Sequence, residues 1–346
     1  MKITADRYIP FLKGVFEPYA EVVYKDGREI GPDDVRDSDA LIVRTRTRCG
    51  RELLQGSRVG IVASATIGTD HIDTGWCAAN GIEVANAAGC NAGGVLQYVF
   101  TALYTVASSR SINLKGKTLG IIGVGNVGSL IDTMASELGF RTLRCDPPRA
   151  EREGPEGFCT LEELLRGSDI VTMHTWLDTA TRGMADSSFF SLMREGAVFI
   201  NASRGEVVSD DALKQARGHL GAIILDTWNN EPDIDRELLS MTDIATPHIA
   251  GYTIKGKMNG SSAAVRAVAR HFGIEELYGY YPEGDPDKES VDLNFDGLGQ
   301  EEIRALLTGV YDIMEDDRAL RERIGEFESL RSGYDYRKEF NHMSHN

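Results

Sequence analysis

Basic residues are scarce in this sequence. Its 346 residues include 37 lysines and arginines against 53 aspartates and glutamates, which gives a formal net charge of -16 at pH 7. Such an excess of negative charge repels nucleic acid and anionic membrane surfaces, so we expect neither as a partner. A site for an anionic ligand must therefore gather its few positive charges locally.

Cysteines and long apolar runs are also scarce. The five cysteines form no C-x-x-C pair, a pattern that favours neither a disulfide framework nor a zinc site, and we predict no bound metal. The most apolar stretch, residues 93–107, is interrupted by Gln97 and Thr101 and is too short to span a bilayer. The N-terminus "MKITADRYIPF" lacks the apolar core of an export signal. These features predict a reduced, cytoplasmic protein.

Two series of strand-like segments alternate with helical segments along most of the chain. The first series is "KITAD", "EVVY", "ALIVRT", "GIVASAT" and "IEVANA", and the second is "KTLGIIGVG", "RTLRCD", "DIVTMHT", "AVFINAS", "AIILDTW" and "DIATPH". This alternation is typical of parallel α/β sheets, and two series predict two doubly wound domains. Helices predicted at residues 91–109 and 261–271 connect the series. The charged helical tail after a polar linker looks too small to hold a core alone, so we expect it to pack on a partner subunit.

A glycine-rich turn follows the first strand of the second series. In "LGIIGVGNVGSLI", Gly123, Gly125 and Gly128 form the pattern G-x-G-x-x-G between an apolar strand and a helix. The first glycine permits a tight turn, the second lets a pyrophosphate approach the backbone, and the third lets the helix pack on the strand. The pattern predicts a dinucleotide held by this turn, including Asn126 and Val127, with its phosphates at the helix N-terminus.

The end of the next strand indicates which dinucleotide binds. Asp146 falls eighteen residues after Gly128, where a carboxylate accepts hydrogen bonds from the adenosine ribose hydroxyls. The same carboxylate would repel a 2′-phosphate, so it favours NAD over NADP. Arg149, close by in "DPPRA", is the one feature that would suit NADP instead.

Three ionisable residues follow later strands of the second series: Arg204 in "FINASRGEVV", Glu231 in "LDTWNNEP" and His248 in "TPHIAG". Each has a purely structural alternative, because an arginine can cap a helix, a glutamate can be solvated and a histidine can be buried in a core. Ligands of open α/β sheets bind at the carboxyl ends of strands, so the three together indicate a catalytic site.

The chemistry that suits these three residues is the oxidation of a 2-hydroxy acid. A histidine takes the hydroxyl proton as hydride leaves the adjacent carbon. A carboxylate on its other ring nitrogen fixes the tautomer and favours the imidazolium. A guanidinium grips the substrate carboxylate and polarises the forming carbonyl. We therefore expect His248 to be an acid/base, supported by Glu231 and Arg204.

The motifs "GIIGVGNVG", "NASRGEVV", "LDTWNNEP" and "PHIAGYT" resemble the D-2-hydroxyacid dehydrogenases over most of the first 270 residues. The resemblance implies a discontinuous substrate domain (residues 1–92 and 256–286), an inserted NAD-binding Rossmann domain (93–255) and a small C-terminal α+β domain (287–346) that forms a homodimer. It implies Arg204 and Glu231 as active-site residues and His248 as proton donor. The residues implied around NAD are Asp146, Thr175, Ala202, Ser203, Arg204, Asp226 and Gly251, and those implied against the substrate are Thr45, Thr66 and Tyr252.

Shorter motifs resemble one branch of this family: "VRTRT", "ATIGTDHID", "AAGCNAGGVLQYVF", "CDPPRAER", "HIAGYTIKGK" and "VYDIMEDDRALR". This resemblance implies the NAD-dependent oxidation of 4-phospho-D-erythronate at C2, in the vitamin B6 pathway. Gln97 departs from the family pattern, in which glutamate is usual. The candidates for holding the substrate phosphate are Tyr252, Lys255, Lys257 and the pair Arg44 and Arg46.

Two alternative functions stay open on the sequence. One is a 3-phosphoglycerate dehydrogenase or another D-2-hydroxyacid dehydrogenase; the phosphoglycerate enzymes often append a regulatory domain whose strand pattern is not apparent in this tail. The other is an NAD-sensing scaffold or co-repressor, against which the intact set of Arg204, Glu231 and His248 argues.

Overall fold

The computed structural model describes residues 1–284 and 289–342. Its strands, in chain order, are β1 (Lys2–Asp6), β2 (Glu21–Lys25), β3 (Ala40–Val43), β4 (Ile61–Ser64), β5 (Glu83–Ala85), β6 (Thr118–Ile122), β7 (Arg141–Cys145), β8 (Ile170–Met173), β9 (Val198–Asn201), β10 (Ala222–Leu225), β11 (Ile244–Ala245), β12 (Ser290–Leu293) and β13 (Glu339–His342). Its helices are α1 (Pro32–Val35), α2 (Arg51–Leu54), α3 (Thr74–Ala79), α4 (Ala92–Ser109), α5 (Asn126–Glu137), α6 (Pro147–Glu153), α7 (Leu161–Gly167), α8 (Ser187–Leu192), α9 (Asp210–Ala216), α10 (Arg236–Met241), α11 (Ile254–Phe272), α12 (Gln300–Val310), α13 (Ile313–Glu322) and α14 (Phe327–Ser332).

The chain divides into two compact units, one comprising Met1–Asn91 with Thr253–Glu289 and the other Ala92–Tyr252 with Ser290–Asn346. The first unit contains a parallel sheet in the order β2-β1-β3-β4-β5. Successive residues of its strands enter opposite faces: Ile42 joins an apolar cluster that includes α11, whereas Leu41 joins a second cluster with α2 and α3. Two buried faces explain why these strands are apolar throughout.

The second unit contains a parallel sheet in the order β11-β10-β9-β8-β6-β7. Alternate residues of its strands again enter two different cores, as Ile200 and Phe199 of β9 do. The buried helix α4 packs on one of these cores through Tyr98, Val99 and other apolar side chains. The α/β class with two doubly wound sheets, expected from the sequence, is thereby confirmed.

The C-terminal tail packs on its own chain. Within it, β12 and β13 form a two-stranded parallel sheet. Apolar side chains of the tail, among them Phe295, Leu307 and Phe340, enter the core that contains α4, while Leu320 and Phe327 enter the core on the other face of the second sheet. The second unit's own sheet therefore supplies the surface that buries these side chains. The expected packing of the tail on a partner subunit stays a prediction.

Helix α11 begins earlier than the predicted residues 261–271. The Thr253 hydroxyl accepts a hydrogen bond from the Gly256 amide and caps the N-terminus, and Gly273, at φ +71°, ends the helix. Lys255 and Lys257 consequently lie in the first turn of a helix. The predicted domain boundary between residues 286 and 287 lies outside the described residues.

Two further properties hold for the described part of the chain. Its helices include none that is long and apolar enough to cross a membrane. It also brings together no group of three or more histidine, cysteine, aspartate or glutamate side chains that could hold a metal ion.

Candidate active site

The candidate cofactor site lies where the strand order of the second sheet reverses. Strands β6 and β8 are neighbours there, although β7 lies between them in sequence. Loops after two such strands run in opposite directions and leave a crevice at their carboxyl ends, which is where ligands of open α/β sheets bind. The glycine-rich turn follows β6, and His174 and Thr175 follow β8.

The three glycines of the turn have three different surroundings. Gly123 has φ +84°, and a Cβ there would lie 2.7 Å from the His174 carbonyl oxygen. A Cβ on Gly128 would overlap the Gly123 carbonyl, because α5 packs closely on the turn. A Cβ on Gly125, by contrast, would have no neighbour within 4 Å among the described residues. Two glycines are thus needed by the fold, and the third leaves space in front of a helix N-terminus.

That space suits a pyrophosphate. Gly125 is the N-cap of the twelve-residue helix α5 and offers no side chain to its first amides, Val127 and Gly128 among them. Unpaired amides at a helix N-terminus bind phosphate oxygens. Thr175 supports the same conclusion, since its hydroxyl is buried and has no hydrogen-bond partner in the part of the chain that the structure describes. A polar ligand in the crevice would satisfy it.

Asp146 stands beside this turn. Its carboxylate accepts hydrogen bonds from the Val124 amide, at 2.8 Å, and from the Arg149 amide, at 3.0 Å. The Arg149 guanidinium is turned to the protein, where it donates to the Val124 carbonyl at 2.7 Å and pairs with Glu153. Arg149 is therefore engaged by the turn and by its own helix, and Asp146 places its carboxylate beside the glycine-rich turn.

The hydrogen-bonded pair of His248 and Glu231 is the central polar contact at the ends of β10 and β11. The His248 Nδ1 lies 2.8 Å from Glu231 Oε2 and 3.0 Å from Oε1. The Trp228 amide donates to the same carboxylate at 3.0 Å. Because Nδ1 faces the carboxylate, Nε2 is the ring nitrogen left to exchange a proton with a substrate.

Glu231 is held in its ionised form. Burial disfavours its charge, but the positive charge of His248, the hydrogen bond to it and the charge of Arg331 outweigh burial and lower the pKa of Glu231 to about 2. Arg331 Nη1 lies 3.4 Å from Glu231 Oε2. The carboxylate of Glu231 thus stays negative at neutral pH.

The backbone of His248 has an uncommon conformation. Its φ of +59° lies in the left-handed region, which non-glycine residues adopt only where their surroundings enforce it. The Asp226 carboxylate accepts from the amides of Ile249 and Ala250 at 2.8 and 2.9 Å, and the Thr246 hydroxyl lies 2.7 Å from it. Burial raises the pKa of Asp226, against the opposing effects of these donors and of His248.

Arg204 is placed by the loop after β9. The Asn201 side chain donates to the Arg204 carbonyl at 2.9 Å and accepts from the Ser203 amide and hydroxyl. The next residue, Gly205, approaches the Trp228 backbone so closely that a Cβ would overlap it. This approach brings the loop that carries Arg204 against the loop that carries Glu231.

The remaining predicted residues of the second unit lie in these same loops. Ala202 is half-buried and Ser203 is buried in the loop after β9, while Gly251 is buried and Tyr252 half-buried in the loop after β11. The Tyr252 ring lies edge-on between two rings of the C-terminal tail, Tyr334 and Tyr336, with both centroids at 6.2 Å.

Thr45 and Thr66 belong to the first unit. Thr45 follows β3, and Thr66 follows β4 with its hydroxyl 2.8 Å from that of Ser64. Arg44, beside Thr45, donates to the fully buried Asp6 through Nε at 2.9 Å and Nη2 at 3.2 Å. The positive charge of Arg44 is therefore balanced within its own unit.

Sequence reasoning missed the contribution of the C-terminal tail. Arg331 contacts the Glu231 carboxylate, and Arg337 donates to the carbonyls of Ile249 and Ala250, directly after His248. The available signal was the stretch "SLRSGYDYRKEF", in which arginines and tyrosines are dense although the chain as a whole is acidic. No motif relates these residues to His248, which lies more than eighty positions earlier.

Comparison with known proteins identifies the family. Residues 101–250 match the family described as "D-isomer specific 2-hydroxyacid dehydrogenase, NAD binding domain". Residues 285–345 match a domain family of unknown function (DUF3410). An erythronate-4-phosphate dehydrogenase of Bacteroides fragilis is 42% identical over 346 residues, which cover 98% of this chain and 97% of the relative. The chain belongs to the erythronate-4-phosphate dehydrogenase family.

A second relative agrees with this membership, and a solved structure shares the fold. A Yersinia pestis erythronate-4-phosphate dehydrogenase is 40% identical over 355 residues, which cover 99% of this chain and 94% of the relative. A D-lactate dehydrogenase of Aquifex aeolicus, complexed with NAD and lactic acid, matches the fold with a TM-score of 0.69 at 24% identity over 82% of this chain and 100% of that chain. The family resemblance seen in the motifs is confirmed, and the cofactor of the matched domain is NAD.

Proposed function

We propose that this protein oxidises 4-phospho-D-erythronate at C2, with NAD, to (R)-3-hydroxy-2-oxo-4-phosphooxybutanoate. The observation that carries the proposal is the contact of His248 with an ionised Glu231 at the strand ends of an NAD-binding domain. The relatives named for this activity match the chain over nearly its whole length, and so support this substrate over other 2-hydroxy acids.

We propose the following roles in the reaction. Nε2 of His248 accepts the C2 hydroxyl proton, and the Glu231 carboxylate at Nδ1 stabilises the imidazolium that forms. The Arg204 guanidinium binds the substrate carboxylate and polarises the forming carbonyl. When bound, NAD accepts the hydride that leaves C2. The glycine-rich turn, Asp146 and Thr175 would hold this cofactor, together with the loops at Ala202, Ser203, Asp226 and Gly251.

The contacts to the rest of the substrate are also proposals. Thr45, Thr66 and Tyr252 are the residues that we expect to contact it. For the phosphate, Arg44 is a weaker candidate than the sequence suggested, because the buried Asp6 already neutralises its charge. Arg46, Lys255, Lys257 and Tyr252 remain the candidates.

A comparison of four acids tests the proposed substrate. 4-Phospho-D-erythronate, 3-phosphoglycerate, D-glycerate and D-lactate would be assayed side by side with NAD. Polar groups built to hold a phosphate are left unpaired when it is absent, so we expect strong activity with the first acid, weak activity with the second and almost none with the last two. A preference for 3-phosphoglycerate would assign that alternative instead. Equal activity with lactate would refute a phosphate-specific site.

We also propose that the protein is a cytoplasmic homodimer. Its five cysteines are free thiols, which is typical of a reducing compartment. For the dimer, a truncation before residue 290 is a poor test, because it would expose the core of the protein's own NAD domain. Sedimentation of the full chain at several concentrations is the direct test, and a monomer throughout would refute the proposal.

A further inference from the structure

Arg337 of the C-terminal tail forms an unusual set of contacts. Only 9% of the residue is exposed, and its guanidinium donates to five oxygens that belong to carbonyl or amide groups. These are the carbonyls of Ile249 (2.9 Å), Ala250, Tyr252 (3.4 Å) and Gly94 (3.2 Å), and the side-chain oxygen of Gln97 (3.2 Å). One face of the guanidinium covers the Tyr311 ring, with its carbon 4.2 Å from the ring centroid. The three nitrogens of the guanidinium thus all donate hydrogen bonds, and one of its faces contacts an aromatic ring.

Three of these five acceptors lie directly after His248. They are the carbonyls of Ile249, Ala250 and Tyr252. We call residues 248–252 the catalytic loop. The amides of the same loop are held from elsewhere, since Asp226 accepts from Ile249 and Ala250. A buried anion therefore binds the amides of the loop, and a buried cation binds its carbonyls.

This two-sided arrangement explains how the conformation of His248 persists. A left-handed φ is unfavourable for a non-glycine residue and needs enforcement from outside the residue. A planar guanidinium is suited to that task, because its donors have a fixed geometry that binds several oxygens at once. The loop cannot rotate about His248 without breaking contacts to Asp226, to Arg337 or to both.

We propose that Arg337 is a positioning residue for the acid/base His248, so that the C-terminal tail takes part in catalysis as well as in packing. This inference rests on the proposed function for the role of His248. Arg337 holds the loop, the loop fixes the imidazole against Glu231, and Nε2 is thereby directed to one place. Displacements of about 1 Å at a reacting group lower rates by about a hundredfold.

Arg321 provides a matched control. It also belongs to the tail and donates to backbone carbonyls of the second unit, namely those of Leu239 at 2.9 Å and Thr242 at 2.8 Å. It pairs with Asp317 and does not contact the catalytic loop. Loss of either arginine weakens the packing of the tail, but only the loss of Arg337 releases the carbonyls that follow His248.

The experiment compares Arg337→Met and Arg337→Lys with Arg321→Met in the full-length protein. The concentration of folded sites is measured by NADH titration, and the thermal midpoint by calorimetry. kcat and its isotope effect are then measured with C2-deuterated substrate, using whichever of the four acids the unaltered protein oxidises best. The identity of that acid tests the proposed function, and the ratios between variants test the role of Arg337.

We expect Arg337→Met to lower kcat per folded site by about ten- to a hundredfold and to raise the isotope effect, because a misplaced His248 slows the chemical step. Arg337→Lys, which keeps the charge but not the planar geometry, should recover part of the loss. Arg321→Met should lower the thermal midpoint and leave kcat per folded site within about twofold. Equal kcat losses in both methionine variants, or an unchanged isotope effect in Arg337→Met, would overturn the proposal and leave Arg337 a packing residue.

Discussion

Two glycine-to-alanine substitutions in the glycine-rich turn, each of which adds one methyl group, should distinguish residues needed for cofactor binding from residues needed for folding. A methyl group on Gly125 meets no protein atom within 4 Å among the described residues, and the φ of -78° at this position is one that alanine adopts. A methyl group on Gly128 overlaps the Gly123 carbonyl, whose carbon would lie only 3.0 Å away. The same substitution therefore has opposite consequences at two positions three residues apart.

The magnitudes follow from these surroundings. Gly125→Ala should leave the free energy of unfolding within about 1 kcal/mol, since no protein contact is lost. It should weaken NAD by about ten- to a hundredfold, because moving the pyrophosphate away from the amides of α5 forfeits at least one charge-assisted hydrogen bond of about 1.5–3 kcal/mol. Gly128→Ala forces α5 away from β6 and should cost about 1–3 kcal/mol of stability.

Chemical denaturation and NADH titration measure the two effects separately. The expected pattern is a stable Gly125→Ala protein that binds cofactor poorly and a destabilised Gly128→Ala protein. If Gly125→Ala binds NADH as tightly as the unaltered protein, the pyrophosphate does not approach this glycine. The assignment of the turn would then be wrong, although the fold would be unaffected.

Three further predictions concern single side chains. His248→Asn should bind NAD normally and lose about two to four orders of magnitude in kcat; unchanged turnover would return His248 to a structural role. Asp146→Ala should weaken NAD and improve the relative use of NADP, because a repulsive carboxylate is removed; equal use of both by the unaltered protein would contradict this. The pKa of Glu231 is lowered in the folded state from 4.5 to about 2, so its ionised form adds stability above about pH 4.5 that is lost as pH falls toward 2. Denaturation at pH 3.5 and 6 should therefore show an acid-dependent loss larger by roughly 1–2 kcal/mol in the unaltered protein than in Glu231→Gln, and equal losses would refute the shift.

The sequence predicted the sheets well because local signals set them. Apolar strands buried on both faces are continuous runs of apolar residues. Each observed strand of the two large sheets lies within a predicted segment, except that β2 extends one residue further, to Lys25. The glycine-rich turn was also predictable from local sequence, because its backbone requires glycine. Gly123 adopts φ +84°, and Gly128 lies close to the Gly123 carbonyl. The contact of Glu231 with His248 was also predictable, since the carboxyl ends of neighbouring parallel strands converge at one edge.

The C-terminal tail was harder to predict because its contacts are non-local. The tail looked too small to form a core alone, which suggested that a partner subunit covers it. That reasoning considered the tail in isolation. In the structure Phe295, Leu307 and Phe340 complete a core already formed by α4 and the second sheet.

Gln97 shows the same limit at a single residue. As a departure from the glutamate usual in the family, it looked like the loss of a charge from helix α4. In the structure its side-chain oxygen accepts from Arg337, which lies 240 residues later in the chain. A carboxylate at this position would form a buried ion pair with the guanidinium and compete with the loop carbonyls for it. The neutral amide takes one hydrogen bond and leaves the cation to the carbonyls of Ile249, Ala250 and Tyr252. The place of Gln97 in the structure is therefore understood only together with Arg337.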